Sequence, residues 1–136
     1  MDATNYFEHD ADIGVIGRGP TMETAFESAA QAVFAIMTPL EAVRGSLPVS
    51  VGFEESDPEL ALVTWLNELV SAAREKGLVL GAFRLRREAD RWSGSALGEP
   101  WRDDLERGVE VKGATLTGLS VRETDGGWEA RCVVDV

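Results

Sequence analysis

The sequence predicts an α+β fold, with two main helices packed on a largely antiparallel β-sheet in a single domain over residues 1–136. Three observations predict it. Two segments carry apolar residues at the helical period of 3.6. Much of the remainder alternates apolar and polar residues with period two, as half-buried strands do. Finally, the strand-like runs in the second half come in pairs joined by short turns rather than by helices, which favours antiparallel pairing.

The elements follow in order. Residues 6–16 read as extended, which places Glu8, Asp10 and Asp12 on one face and His9 on the other. The first helix is predicted over 22–37, with Met22, Phe26, Ala29, Ala30, Val33 and Met37 on its apolar stripe. Thr21 is placed to cap it, Glu23 suits the positive end of its dipole, and Pro39 marks the exit. A strand over 47–54 turns Leu47, Val49, Val51 and Phe53 to one side. The second helix opens at Ser56-Asp57-Pro58-Glu59, a cap followed by proline at the first helical position. Leu62, Val63, Leu66, Leu69, Val70 and Ala73 form its apolar face, and Gly77 suits its C-terminal cap. Residues 79–88 and 91–98 are expected to form a hairpin around Asp90. Residues 115–123 and 127–135 are expected to flank the turn Asp125-Gly126-Gly127. In the last strand Trp128, Ala130, Cys132 and Val134 share one face, and Glu129, Arg131, Val133 and Asp135 the other. The polar segment Gly98–Gly108 reads as an exposed loop.

Composition excludes several function classes. The chain has 136 residues, 44% hydrophobic, enough for a real core. No apolar run approaches the roughly 20 residues of a membrane span. No basic stretch and apolar run open the chain, so a cytoplasmic location is expected rather than secretion. The lone Cys132 allows no internal disulfide and disfavours a thiolate zinc site. The net charge is −11, and residues 1–68 carry a net of −10 with Arg18 and Arg44 as their only bases. Such a balance speaks against phosphate-backbone binding and for a metal ion or a basic protein partner.

Several carboxylates would meet at one spot if the first and last strands are neighbours. These are Asp12, Asp135, the main-chain carboxylate of Val136 and, as a further candidate, Asp10. Clustered carboxylates repel unless a cation neutralises them, and an oxygen-only set suits a hard divalent ion such as Ca²⁺, Mg²⁺ or Mn²⁺. The competing reading is a solvated acidic edge strand, which resists aggregation. His9 has no second histidine to work with, and reads first as a residue hydrogen-bonded beside the core. Cys132 reads as a small buried thiol. No Gly-x-Ser-x-Gly elbow or glycine-rich phosphate loop occurs. Alternation over 109–112 pairs Glu110 with Lys112 on one face and Val109 with Val111 on the other. That pair is either an ordinary surface ion pair or a lysine set beside the carboxylates. Trp65 is expected to pack, and Asn67 and Glu68 to face a partner.

Four of these segments, in order, resemble the archease family. His9-Asp10-Ala11-Asp12-Ile13-Gly14 is similar to its His-Thr-Ala-Asp-Ile-Gly opening. Leu62-Val63-Thr64-Trp65-Leu66-Asn67-Glu68-Leu69 is similar to its Leu-Val-Asp-Trp-Leu-Asn-Glu-Leu. Glu110-Val111-Lys112 with Ala114-Thr115, and the closing Val134-Asp135-Val136, complete the likeness. The resemblance implies a small α+β protein that is no enzyme itself but a cofactor of RtcB-type RNA ligases in tRNA splicing and RNA repair. It would promote guanylylation of the ligase and its repeated turnover. It also implies a divalent metal held by Asp12, Asp135 and the Val136 carboxylate, with no direct nucleic-acid binding and no membrane. A general chaperone or adaptor for basic clients is the alternative, and a metal-dependent hydrolase a more distant one. The sequence departs from the family pattern at Asp10 (usually Thr), Thr64 (often Asp), Leu116-Thr117 (often Tyr-His) and around Arg102-Asp103-Asp104 (often with a His).

Overall fold

The computed structural model describes residues 5–9 and 12–136. Strands β1 (Tyr6–His9) and β2 (Asp12–Gly19) lead into helix α1 (Met22–Met37), strand β3 (Leu47–Glu54) and helix α2 (Pro58–Lys76). Strands β4 (Leu78–Glu88), β5 (Arg91–Pro100), β6 (Gly113–Ala114), β7 (Ser120–Thr124) and β8 (Gly127–Asp135) follow. Every strand pair is antiparallel. The strands divide into two sheets. One runs β1-β2-β8, with β6 and β7 both pairing β8; the other runs β3-β5-β4. No helix among the described residues is long and apolar enough to cross a membrane.

The helices lie between the two sheets. Helix α1 turns Ala25 and Ala29 toward β2, where Gly17 lies so close that an added Cβ would run into the Ala25 carbonyl and the Ala29 amide. On its other side Phe26 stacks on Trp92 of β5 at 5.2 Å, and Phe34 meets Phe83 of β4 at 5.3 Å. Small residues thus serve the close contact and aromatics the wider one. Helix α2 sends Trp65, fully buried, over Gly94 of β5, and its indole N–H donates to the Phe26 carbonyl at 2.9 Å. One buried cluster therefore draws on both sheets and both helices.

The helix ends follow the predicted signals. The Thr21 hydroxyl accepts from the Thr24 amide, and the Thr24 hydroxyl accepts from the Thr21 amide, a reciprocal cap. Asp57 caps α2, Pro58 opens it, and Gly77 closes it at φ 67°.

Three expectations are corrected. Residues 6–16 form no single strand: Tyr6–His9 pairs back on Asp12–Val15, so each segment satisfies the other's backbone groups. Alternation therefore does not carry from Glu8 to Asp12. Residues 115–119 are not strand. The Thr115 amide and hydroxyl both donate to the Val133 carbonyl, at 2.9 and 2.8 Å, and Gly118 turns the chain at φ 63°. The segment after β5 is not a free loop. Gly108 and Val109 donate to the last carbonyls of α1 (Met37 and Ile36), Thr38 donates to Glu106, and Leu105 is buried. Leu47 stays exposed at the start of β3.

Glu99 is buried at the end of β5 and accepts from the Arg102 guanidinium at 2.6 Å and from the Arg44 amide. The Arg102 hydrogen bond, then the Arg44 amide, hold its carboxyl below the usual range. A depressed carboxyl stabilises the fold above its unfolded value and loses that contribution as pH falls through the folded value. The melting temperature is therefore expected to fall on acidification below about pH 4.5, and Arg102→Gln should flatten that dependence in a calorimetric pH series. Gly17→Ala is expected to cost about 3 kcal/mol in urea unfolding, because the helix backbone cannot yield as a side chain does.

Candidate metal centre

Strand β8 lies between β2 on one edge and β6 and β7 on the other. Its pairing with β2 runs from Gly19↔Trp128 to Ile13↔Val134. Asp12 and Asp135 each stand one step beyond that last pair, at the same end of the sheet. Residues opposite one another on antiparallel strands project to one face. Here it is the outer face, since Val15, Ala130, Cys132 and Val134 occupy the inner one. Asp12 is half-buried and Asp135 exposed. Val136 packs its side chain against the core, which fixes the main chain at that position.

The end of β8 is held from α2. The Asn67 side chain accepts from the Ala114 amide at 2.8 Å and donates to the Ala114 carbonyl at 3.2 Å. Arg74 donates to the carbonyls of Lys112 (3.1 Å) and Val111 (3.4 Å). The segment so pinned pairs Gly113 with Asp135 and Ala114 with Val134, and the Lys112 amide donates to the Asp135 carbonyl at 2.8 Å. Asn67 therefore faces the protein's own backbone, not a partner as expected, while Glu68 is exposed. Sequence reasoning missed Asn67 and Arg74 as positioning residues. The only signal was a polar residue beside the apolar face of a helix.

The remaining candidates divide. Trp65 packs as expected. Val111 is buried but Val109 is half exposed, so the predicted alternation fails there. Glu110 reaches Arg74 at 4.0 Å, between two exposed side chains, rather than Lys112. Lys112 itself stands beside Asp135 through its backbone. Cys132 faces the core, and burial pushes its thiol up to about 12. The readings of Asp10 and of the His9 side chain lie outside the described residues. At the departures from the family pattern, the Thr64 hydroxyl donates to the Leu60 carbonyl and Leu116 is exposed. Arg102 bridges Glu99, Asp104 and the Ala42 carbonyl.

Among the described residues neither Asp12 nor Asp135 has a basic group within 4 Å, and no three His, Cys, Asp or Glu side chains converge on one point. The side-chain carboxylates of Asp12 and Asp135 offer oxygen alone. That donor set fits Ca²⁺, Mg²⁺ or Mn²⁺ and not a thiolate- or imidazole-seeking ion.

Fold and strand end together define a class: a small α+β protein whose candidate chemistry sits at the rim of a sheet. The chain matches the Archease protein family (MTH1598/TM1083) over residues 5–136. It is 33% identical to protein archease of Sulfolobus acidocaldarius over the full length of both chains. It resembles the solution structure of protein 1598 from Methanobacterium thermoautotrophicum, with TM-score 0.77, 27% identity and 97% of each chain covered. It shares its fold with the crystal structure of an archease, described as a possible chaperone, from Thermotoga maritima (TM-score 0.68, 19% identity, 96% of this chain and 94% of that one). The chain belongs to the archease family.

Asn67→Ala strips two hydrogen bonds from the Ala114 backbone. It is expected to cost about 1–3 kcal/mol and to speed amide exchange at Ala114, whereas Glu68→Ala should stay within about 0.5 kcal/mol.

Proposed function

We propose that this chain is a non-enzymatic protein cofactor of an RtcB-type RNA ligase, assisting its metal-dependent guanylylation and repeated turnover in cytoplasmic tRNA splicing and RNA repair. Membership of the archease family supports this reading. The observation that carries it is the β2–β8 register, which sets Asp12 and Asp135 at one sheet end. In this reading Asp12, Asp135 and the main-chain carboxylate of Val136 hold one divalent cation, Ca²⁺, Mg²⁺ or Mn²⁺. The cation, when bound, supplies a hard Lewis-acidic centre able to attract phosphate oxygens. Asp12 and Asp135 bring the negative charge that retains it. Asn67 and Arg74 hold the segment that fixes the end of β8. The acidic surface, −10 over residues 1–68, favours encounter with a basic partner built to hold RNA.

A general chaperone for basic clients is the second reading, favoured by the description of the Thermotoga relative as a possible chaperone. The two separate in one comparison. Stimulation of guanylylation of a cognate ligase, without suppression of aggregation of unrelated proteins, supports the cofactor. An unchanged guanylylation rate sinks it.

Metal binding has its own test. Titration of Mn²⁺, Mg²⁺ and Ca²⁺ is expected to show affinity reduced by at least about tenfold in Asp12→Asn and Asp135→Asn, since even changes around a ligand cost that much. A chain extended past Val136 should lose binding similarly; equal affinity would remove Val136 from the ligand set.

A further inference from the structure

The overall charge of −11 hides a local reversal on the outer face of the three-stranded sheet. Pairing aligns its residues in rows across β4, β5 and β3. Arg84 lies opposite Ser95, which lies opposite Ser50; Arg86 lies opposite Ser93, which lies opposite Gly52. In the next row Arg91 stands between Glu88 and Glu54. All of these residues are exposed. The Arg91 guanidinium leans across β3 over Gly52, where an added Cβ would come within 2.9 Å of its terminal nitrogen. Gly52 thus clears a path that brings Arg91 into the row of Arg86. Among the described residues none of Arg84, Arg86 and Arg91 has a carboxylate within 4 Å. Guanidinium groups therefore stand along both edges of the face, with the hydroxyls of Ser50, Ser93 and Ser95 between them.

We propose that this face binds the phosphodiester backbone of single-stranded RNA. Arginine and serine are among the side chains that contact nucleic-acid phosphates, and hydroxyls can also meet the ribose 2′-OH. Three strands about 4.8 Å apart make a face about 10 Å wide, the scale of one strand rather than a duplex. The two middle rows hold no aromatic or large apolar anchor, which a protein partner would want at the centre of its footprint, and the exposed Leu97 stands in the row beyond Ser95, at the border of the patch. The contacts carry no base-edge readout, so binding is independent of sequence and depends on salt. The proposal uses none of the residues assigned to the metal, and it stands whether or not the ligase reading does.

Fluorescence anisotropy with a short labelled oligouridylate tests it directly. Above about 0.1 M salt the screening length is about 10 Å or less, so the acidic remainder of the chain is muted and the contacting arginines decide. Three phosphate contacts on a single strand give a slope of log K against log salt of about −2. The exposed triple variant Arg84→Gln/Arg86→Gln/Arg91→Gln should lose at least about tenfold in affinity and flatten the slope, while Lys76→Gln at the end of α2 leaves both unchanged. Equal binding by wild type and triple variant overturns the proposal, as does no binding by wild type. A polyglutamate peptide that binds wild type, fails on the triple variant and outcompetes the RNA would reassign the face to an acidic protein, which also overturns it.

Discussion

The pairing of β2 with β8 is the constraint on which the rest depends. Ala130, Cys132 and Val134 of β8 are buried against the helices, together with Val15 of β2. A slip of one residue would turn Glu129, Arg131 and Asp135 inward, because side chains alternate with period two. Burial of the apolar set therefore selects the register. The same register sets Asp12 beside Asp135. The carboxylates need no attraction of their own to meet; the hydrophobic effect on the inner face brings them together on the outer one.

That arrangement sets Asp12 and Asp135 at one end of the sheet, and this end is held from elsewhere in the fold. Asn67 and Arg74 hold residues 111–114 by backbone hydrogen bonds, and that segment closes the free edge of β8. A strand end so held on both edges is kept from fraying. The outer face nearby is treated differently. Glu129 is buried there and meets Arg122 at 3.1 Å and Arg18 at 3.8 Å, so that carboxylate is neutralised internally. Asp12 and Asp135 have no such basic neighbour among the described residues. The contrast within one sheet separates an acid neutralised by arginines from two acids with no basic neighbour among the described residues.

Much of this was legible in the chain. Both helices were, to the residue, because Thr21, Asp57, Pro58 and Gly77 act within one turn of the ends they define. The inner face of β8 was legible from alternation alone. The β4–β5 and β7–β8 hairpins were legible from their turns, and what sequence could not show was which strands pair across longer separations. Period two reads alike in either sheet, so one sheet was expected where two enclose the helices. The hairpin of β1 on β2 was hidden because alternation is the same for a straight run and a folded one. Asn67 and the segment 101–109 act on backbone carbonyls distant in sequence, of Ala114 and of α1, and no local pattern signals such a partner. Asp12 and Asp135 were candidates only on the premise that the first and last strands are neighbours, and that pairing is present as β2 on β8.

The division into two sheets gives the charge pattern its meaning. The carboxylate end belongs to the outer face of the five-stranded sheet, and Arg84, Arg86 and Arg91 to the outer face of the three-stranded one, with the helices between. Two layer spacings of about 10 Å each put roughly 20 Å of protein between the faces. The screening length at physiological salt is about 8 Å, so neither face cancels the field of the other. The carboxylate rim and the arginine-bearing sheet are therefore electrostatically independent of each other. Placing Arg84, Arg86 and Arg91 on the sheet away from Asp12 and Asp135 keeps the two groups out of contact, even though Glu54 of β3 and Glu88 of β4 flank Arg91 within its own sheet.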